Sequence, residues 1–180
     1  GRVVPGMSLL DKTISLTLPA VPKPIVGYFS KRYIAGPHRD DAFRVVRELS
    51  REGAMATLDI LGEFISSLDE ADANTRAYVD LVERIAAEKL PHANVSVKLT
   101  ALGLLLDRKR CLENMRLLVR AVAAADTFIR IDMEDAQCTD ATLEIYRTLR
   151  AEFPGRVGVV LQARLRRTMD DVDALTEESA

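Results

Sequence analysis

Three apolar segments of this chain end in polar side chains that could do chemistry. Phe128-Ile129-Arg130-Ile131-Asp132-Met133-Glu134-Asp135 drives carboxylates to the end of a run that otherwise reads as buried. Asn94-Val95-Ser96-Val97-Lys98-Leu99-Thr100 carries a lysine at the same place, and Val157-Gly158-Val159-Val160-Leu161-Gln162-Ala163 carries a glutamine. Burying a charge is costly unless it is paired or used. Carboxylates at the C-terminal tip of a parallel strand sit where α/β folds place their reactions. A lysine, a carboxylate cluster and an amide at three such tips predict one polar site at the mouth of a sheet.

The elements that must position these groups follow from periodicity. Asp40 to Gly53 repeats apolar residues at Ala42, Val45, Val46 and Leu49, one face of a helix that stops at a glycine. Ala54 to Ile60 is short and apolar, a strand. Asp72 to Leu90 and Leu112 to Ala125 have helical spacing, and Val95 to Leu99 and Phe128 to Met133 read as strands. Thr139 to Glu152 is a helix with Thr139 or Asp140 as N-cap and Pro154-Gly155 past its end. Val157 to Ala163 is a fourth strand, and Thr168 opens a last helix. Strands alternating with helices predict an α/β fold with a parallel sheet. The strands read as continuous apolar runs, as when both faces of a parallel sheet are covered. A whole eight-stranded barrel takes about 250 residues, so 180 residues hold about half of one. The division expected is a tag-like and helical lead-in over 1–37, with a short helix near 24–34, and a partial (βα) barrel over 38–180.

Composition narrows the function. A net charge of −2 gives no nucleic-acid footprint. No run of apolar residues is long enough for a transmembrane helix, and the N-terminus shows no basic-then-apolar signal peptide. The two cysteines, Cys111 and Cys138, form no CxxC pair, so two reduced thiols are expected and no metal site. His38 and His92 stand beside prolines and read as exposed. No phosphate-binding glycine motif occurs. Glu134 and Asp135 read as structural, and Asp59 and Glu63 as lining the mouth or capping a loop. Leu102 to Leu106 reads as core or lid packing.

Five segments in order resemble the proline dehydrogenase family of flavin-dependent (βα)8 barrels. They are Tyr33-Ile34-Ala35-Gly36, Thr57-Leu58-Asp59-Ile60-Leu61-Gly62-Glu63-Phe64, Val95-Ser96-Val97-Lys98-Leu99-Thr100, Ile129-Arg130-Ile131-Asp132-Met133-Glu134-Asp135, and Gly158-Val159-Val160-Leu161-Gln162-Ala163. The resemblance covers roughly residues 25 to 175, the N-terminal portion of the barrel. It implies oxidation of L-proline to 1-pyrroline-5-carboxylate with hydride transfer to FAD. By resemblance Lys98 pairs with the substrate carboxylate, Asp132 is the active-site aspartate, and Met133 and Gln162 contact the flavin. A lysine suits a carboxylate as a point charge, a nearby carboxylate holds it charged and oriented, and an amide can both donate to and accept from a flavin edge. The family also implies a quinone acceptor and a cytoplasmic protein, peripheral at the inner face of the membrane. A homo-oligomer is left open.

The chain departs from the family at Arg164, where an aromatic is usual. The family's later strands bring further arginines and a phosphate-binding turn that find no match here, and Arg166-Arg167 does not substitute for them. The chain therefore reads as an incomplete barrel, whose retention of FAD is an open question. A truncated, non-catalytic α/β domain binding a small acid is the alternative. A barrel enzyme using a lysine–aspartate pair for Schiff-base chemistry is a third reading.

Overall fold

The computed structural model describes residues 35–36, 38–62 and 65–178. The expected helix near 24–34, and Glu63, lie outside the described residues. Two units are distinguished, Gly1–Val45 and Val46–Ala180, and the whole sheet lies in the second.

Helix α1 (Arg39–Arg51) begins where the His38 N–H donates to the Asp41 carboxylate at 3.2 Å and the Asp41 N–H donates back to the His38 carbonyl at 3.0 Å. It ends at Gly53, whose φ of +76° is the left-handed conformation that glycine adopts without penalty. Strand β1 (Ala56–Leu58) follows. Helix α2 (Leu68–Ala87) starts four residues earlier than periodicity predicts. Its N-cap Ser67 accepts from the Glu70 N–H, and the Glu70 carboxylate reaches back to the Ser66 N–H at 2.9 Å. That reciprocal cap fixes a start that hydrophobic spacing alone does not mark. Strand β2 (Ala93–Val97) leads into a 3₁₀ turn, Leu99–Leu102. Helix α3 (Arg108–Ala124) is capped by the Asp107 carboxylate, which accepts from the Arg110 N–H at 3.0 Å. Strand β3 (Ile129–Ile131), helix α4 (Thr139–Glu152), strand β4 (Val157–Val159) and helix α5 (Thr168–Glu177) complete the order. The N-cap of α4 is Cys138, not Thr139 or Asp140.

The four strands are parallel and lie in sequence order, β1-β2-β3-β4, as the alternation predicts. Strands β1, β3 and β4 are shorter than expected, whereas β2 keeps the expected length but lies two residues earlier, Ala93–Val97 in place of Val95–Leu99. The two faces of the sheet also differ, contrary to the continuous-apolar reading. Val95, Val97, Ile129 and Ile131 are fully buried. The alternate residues Thr57, Asn94, Ser96 and Arg130 are polar and bond one another or the strand tips across the other face. A strand's period of two sorts the side chains in this way. The core is built from the apolar sheet residues and the inward stripes of α2 (Ala71, Tyr78, Leu81, Val82, Ile85) and α3 (Cys111, Met115, Leu118, Val119, Val122). Leu102 and Leu104 join the core, while Leu105 and Leu106 are exposed. No described helix is long and apolar enough to cross a membrane.

Candidate active site

The polar face has a floor and a mouth. At the floor, the Thr57 hydroxyl donates to Asn94 Oδ1 at 2.8 Å, and Arg130 Nη2 donates to Thr57 Oγ1 at 2.7 Å. These bonds tie β1, β2 and β3 together across the face. On the next strand, Gly158 lies opposite Arg130 in register. The Phe128 ring covers it so closely that a Cβ there would sit 2.6 Å from Cζ.

Two residues further along each strand, the mouth begins. Ser96, buried, donates its hydroxyl to Asp132 Oδ1 at 2.6 Å, and the Asp132 N–H is held by the Val97 carbonyl at 2.9 Å. The Asp132 carboxylate is therefore oriented from the neighbouring strand. Lys98, just past β2, places Nζ 3.1 Å from Asp59 Oδ2, just past β1. Both side chains are partly open to solvent, 24 % and 28 % exposed. The other oxygen of Asp59 accepts from the Tyr78 hydroxyl at 2.6 Å. Tyr78 is itself buried in α2, and burial, reinforced by the Asp59 carboxylate, pushes its phenol far above the ordinary range.

Glu134 ties the remaining tips. Its carboxylate accepts from both the N–H and the hydroxyl of Thr100, and its carbonyl accepts from Gln162 Nε2 at 2.9 Å. Gln162 lies three residues beyond the last ladder pair of β4, half-buried. Its Oε1 meets no donor among the described residues. Met133 is enclosed, 7 % exposed, on the buried row continued from Ile129 and Ile131. Arg164 is exposed, while Arg167 is engaged with Asp140 and Asp171.

The structure thus brings Lys98, Asp132 and Gln162 to one end of one sheet and leaves the Met133 side chain largely out of the polar set. Asp59 is the carboxylate seen beside Lys98, and Tyr78, Ser96 and Arg130 are contributors that the sequence reading did not single out. The signal for Asp59, Ser96 and Arg130 was the alternation Thr57-x-Asp59, Asn94-x-Ser96-x-Lys98 and Arg130-x-Asp132; Tyr78, on a helix, gave none. A cationic group beside one fixed carboxylate, with a second carboxylate oriented at the next strand tip, can bind and orient a small zwitterion. Away from this mouth, a cavity of about 400 Å³ opens at the entry end of the strands, lined by residues such as Ile85, Lys89, Pro91 and Thr127. It gathers no comparable set of oriented polar groups. Cys111 and Cys138 are buried free thiols, each pushed up to about 12, chiefly by burial. Among the described residues no group of three His, Cys, Asp or Glu could hold a metal ion.

The family described as "Proline dehydrogenase" matches residues 42–180. Proline dehydrogenase 1 of Bacillus subtilis is 34 % identical over 143 residues, 79 % of this chain and 47 % of that protein. The proline dehydrogenase of Deinococcus radiodurans is 35 % identical over 153 residues, 82 % of this chain and 49 % of that protein. The chain spans about half the length of the curated relatives it matches. Among solved structures, proline utilization A from Bdellovibrio bacteriovorus, inactivated by N-propargylglycine, superposes with a TM-score of 0.76. The match is 29 % identical and covers 93 % of this chain and 20 % of that one. The parallel βα units are those of the proline dehydrogenase barrel, and the chain belongs to the proline dehydrogenase family.

Proposed function

We propose that residues 38–180 are part of a catalytic barrel that oxidises L-proline to 1-pyrroline-5-carboxylate. The observation that carries this reading is the set of oriented groups at the strand tips, Lys98 beside Asp59 and Asp132 on Ser96, in a chain of this family. Lys98 receives the substrate carboxylate as a point charge. Asp132, its carboxylate held by Ser96, supplies the negative charge that balances the substrate's ring ammonium.

The cofactor of this reading is FAD. Its ring edge suits the donor set at β3 and β4, since Gln162 Oε1 remains available to accept, its Nε2 is steered by Glu134, and the exposed margin of Met133 adds an apolar contact. A bound flavin supplies the two-electron acceptor: the proline ring carbon gives up a hydride and its nitrogen a proton, leaving a C=N bond. The chain's own residues bind, orient and balance charge. A quinone as the final acceptor and a cytoplasmic site, peripheral to the membrane, belong to the same reading.

The test is formation of the cyclic imine from L-proline by the flavin-loaded protein, with and without Lys98→Met. Losing a charge partner for a carboxylate costs about 2–5 kcal/mol. That predicts a KM raised by roughly 30-fold or more. Proline turnover that is indifferent to Lys98→Met would refute the assignment of Lys98.

A further inference from the structure

We propose that Tyr78 and Asp59 are positioning residues for Lys98: the buried phenol fixes the carboxylate, and the carboxylate fixes the ammonium. This rests on the reading of Lys98 as the group that receives the substrate carboxylate. Tyr78 comes from α2, 1 % exposed, on the stripe that also buries Leu81 and Val82. Its hydroxyl accepts from the Ile60 N–H at 3.1 Å and donates to Asp59 Oδ1 at 2.6 Å. Asp59 Oδ2 accepts from Lys98 Nζ at 3.1 Å. The phenol therefore grips both the backbone just past β1 and the carboxylate that this backbone carries.

An ion pair between two partly exposed side chains contributes little and wanders in geometry. A carboxylate with one oxygen held by a fixed, buried donor does not wander, and its second oxygen marks one place for the ammonium. Groups set by such outside support gain their precision from it. A phenol sealed in the core and aimed at a solvent-open carboxylate has no need of that partner for packing, because phenylalanine would fill the same space. The hydroxyl serves the mouth of the sheet.

Side-chain ¹⁵N NMR of the full chain reads the Lys98 ammonium directly, with Lys98→Met assigning its signal. Tyr78→Phe is expected to mobilise that ammonium while circular dichroism keeps the wild-type spectrum, and Asp59→Asn is expected to mobilise it at least as much. In the flavin-loaded protein, Tyr78→Phe is expected to raise KM for proline by about three- to tenfold. Its kcat is expected within about twofold of wild type, and oxidation of pyrrolidine, which lacks the carboxylate, is expected to change equally little. An ammonium equally restrained in Tyr78→Phe would overturn the inference whatever the activity. So would equal losses with proline and pyrrolidine, which would make the role structural. A restrained wild-type ammonium released by Tyr78→Phe, in a protein that fails to oxidise proline, would instead sink the function and leave this geometry standing.

Discussion

Gly158→Ala probes the floor beneath the site. Gly158 pairs in register with Arg130, two residues before Asp132, so the fit of β4 on β3 sets where the Asp132 and Gln162 tips stand. A Cβ at this position would lie 2.6 Å from Phe128 Cζ and 3.3 Å from Cε1. Carbon atoms rest about 3.5–4.0 Å apart, so the ring must retreat by about 1 Å. Overpacking of this kind costs about 1–3 kcal/mol. Phe128 is half-buried and can give part of the way, which favours the lower end. The backbone here is one that alanine adopts, and stiffening of the unfolded chain returns about 0.4–1 kcal/mol. The net expectation is a loss of about 0.5 kcal/mol, or about 1–2 °C in Tm for a chain of this size. Urea and thermal unfolding measure it. The Phe128→Leu background removes the ring edge, and there Gly158→Ala should be neutral or stabilising, a coupling between neighbours that a double-mutant cycle isolates. Equal penalties in both backgrounds, or a Gly158→Ala protein more stable than wild type, would refute the packing argument.

Three further outcomes follow from other contacts. Ser96→Ala removes the 2.6 Å bond to the Asp132 carboxylate and should cost about 1.5 kcal/mol in urea unfolding; a change below about 0.5 kcal/mol would show that water replaces the hydroxyl. Glu88 accepts from Arg84 and Arg47, and although partial burial opposes the charge, these two guanidiniums hold its carboxyl below the usual 4.5. A lowered folded-state value stabilises the fold above the unfolded value, so the gap between wild type and Glu88→Gln should be open at neutral pH and close as pH falls below about 4.5; a gap that widens on acidification would contradict this. Cys111 and Cys138, buried with thiols raised to about 12, should resist an aromatic disulfide reagent at pH 8 until urea unfolds the chain, when both titrate; fast labelling of the folded protein would contradict their burial.

The order of elements was legible because each βα unit announces itself: an apolar run, a turn, then helical spacing, four times over. The polar tips were legible for the same reason, since Lys98, Asp132 and Gln162 interrupt apolar runs. What one sequence does not display is distance across strands. Asp59 and Lys98 are 39 positions apart and meet only because β1 and β2 are parallel neighbours. Tyr78 hides in an amphipathic stripe where any aromatic would serve the core. The apolar reading of the strands missed the second face because small polar residues such as Thr57 and Ser96 sit among valines without breaking the run. The start of α2 lay in a capping box over Ser66, Ser67 and Glu70, a signal that apolar spacing overrides.

On the proposed function, the oriented groups at this mouth hold proline against a flavin. The most direct test of that function is the absorption of the protein loaded with FAD, desalted, and titrated anaerobically with L-proline. A retained flavin band at about 450 nm that bleaches on addition of proline is expected, with a much higher proline requirement in Lys98→Met. A retained flavin that proline leaves oxidised at every concentration would contradict it.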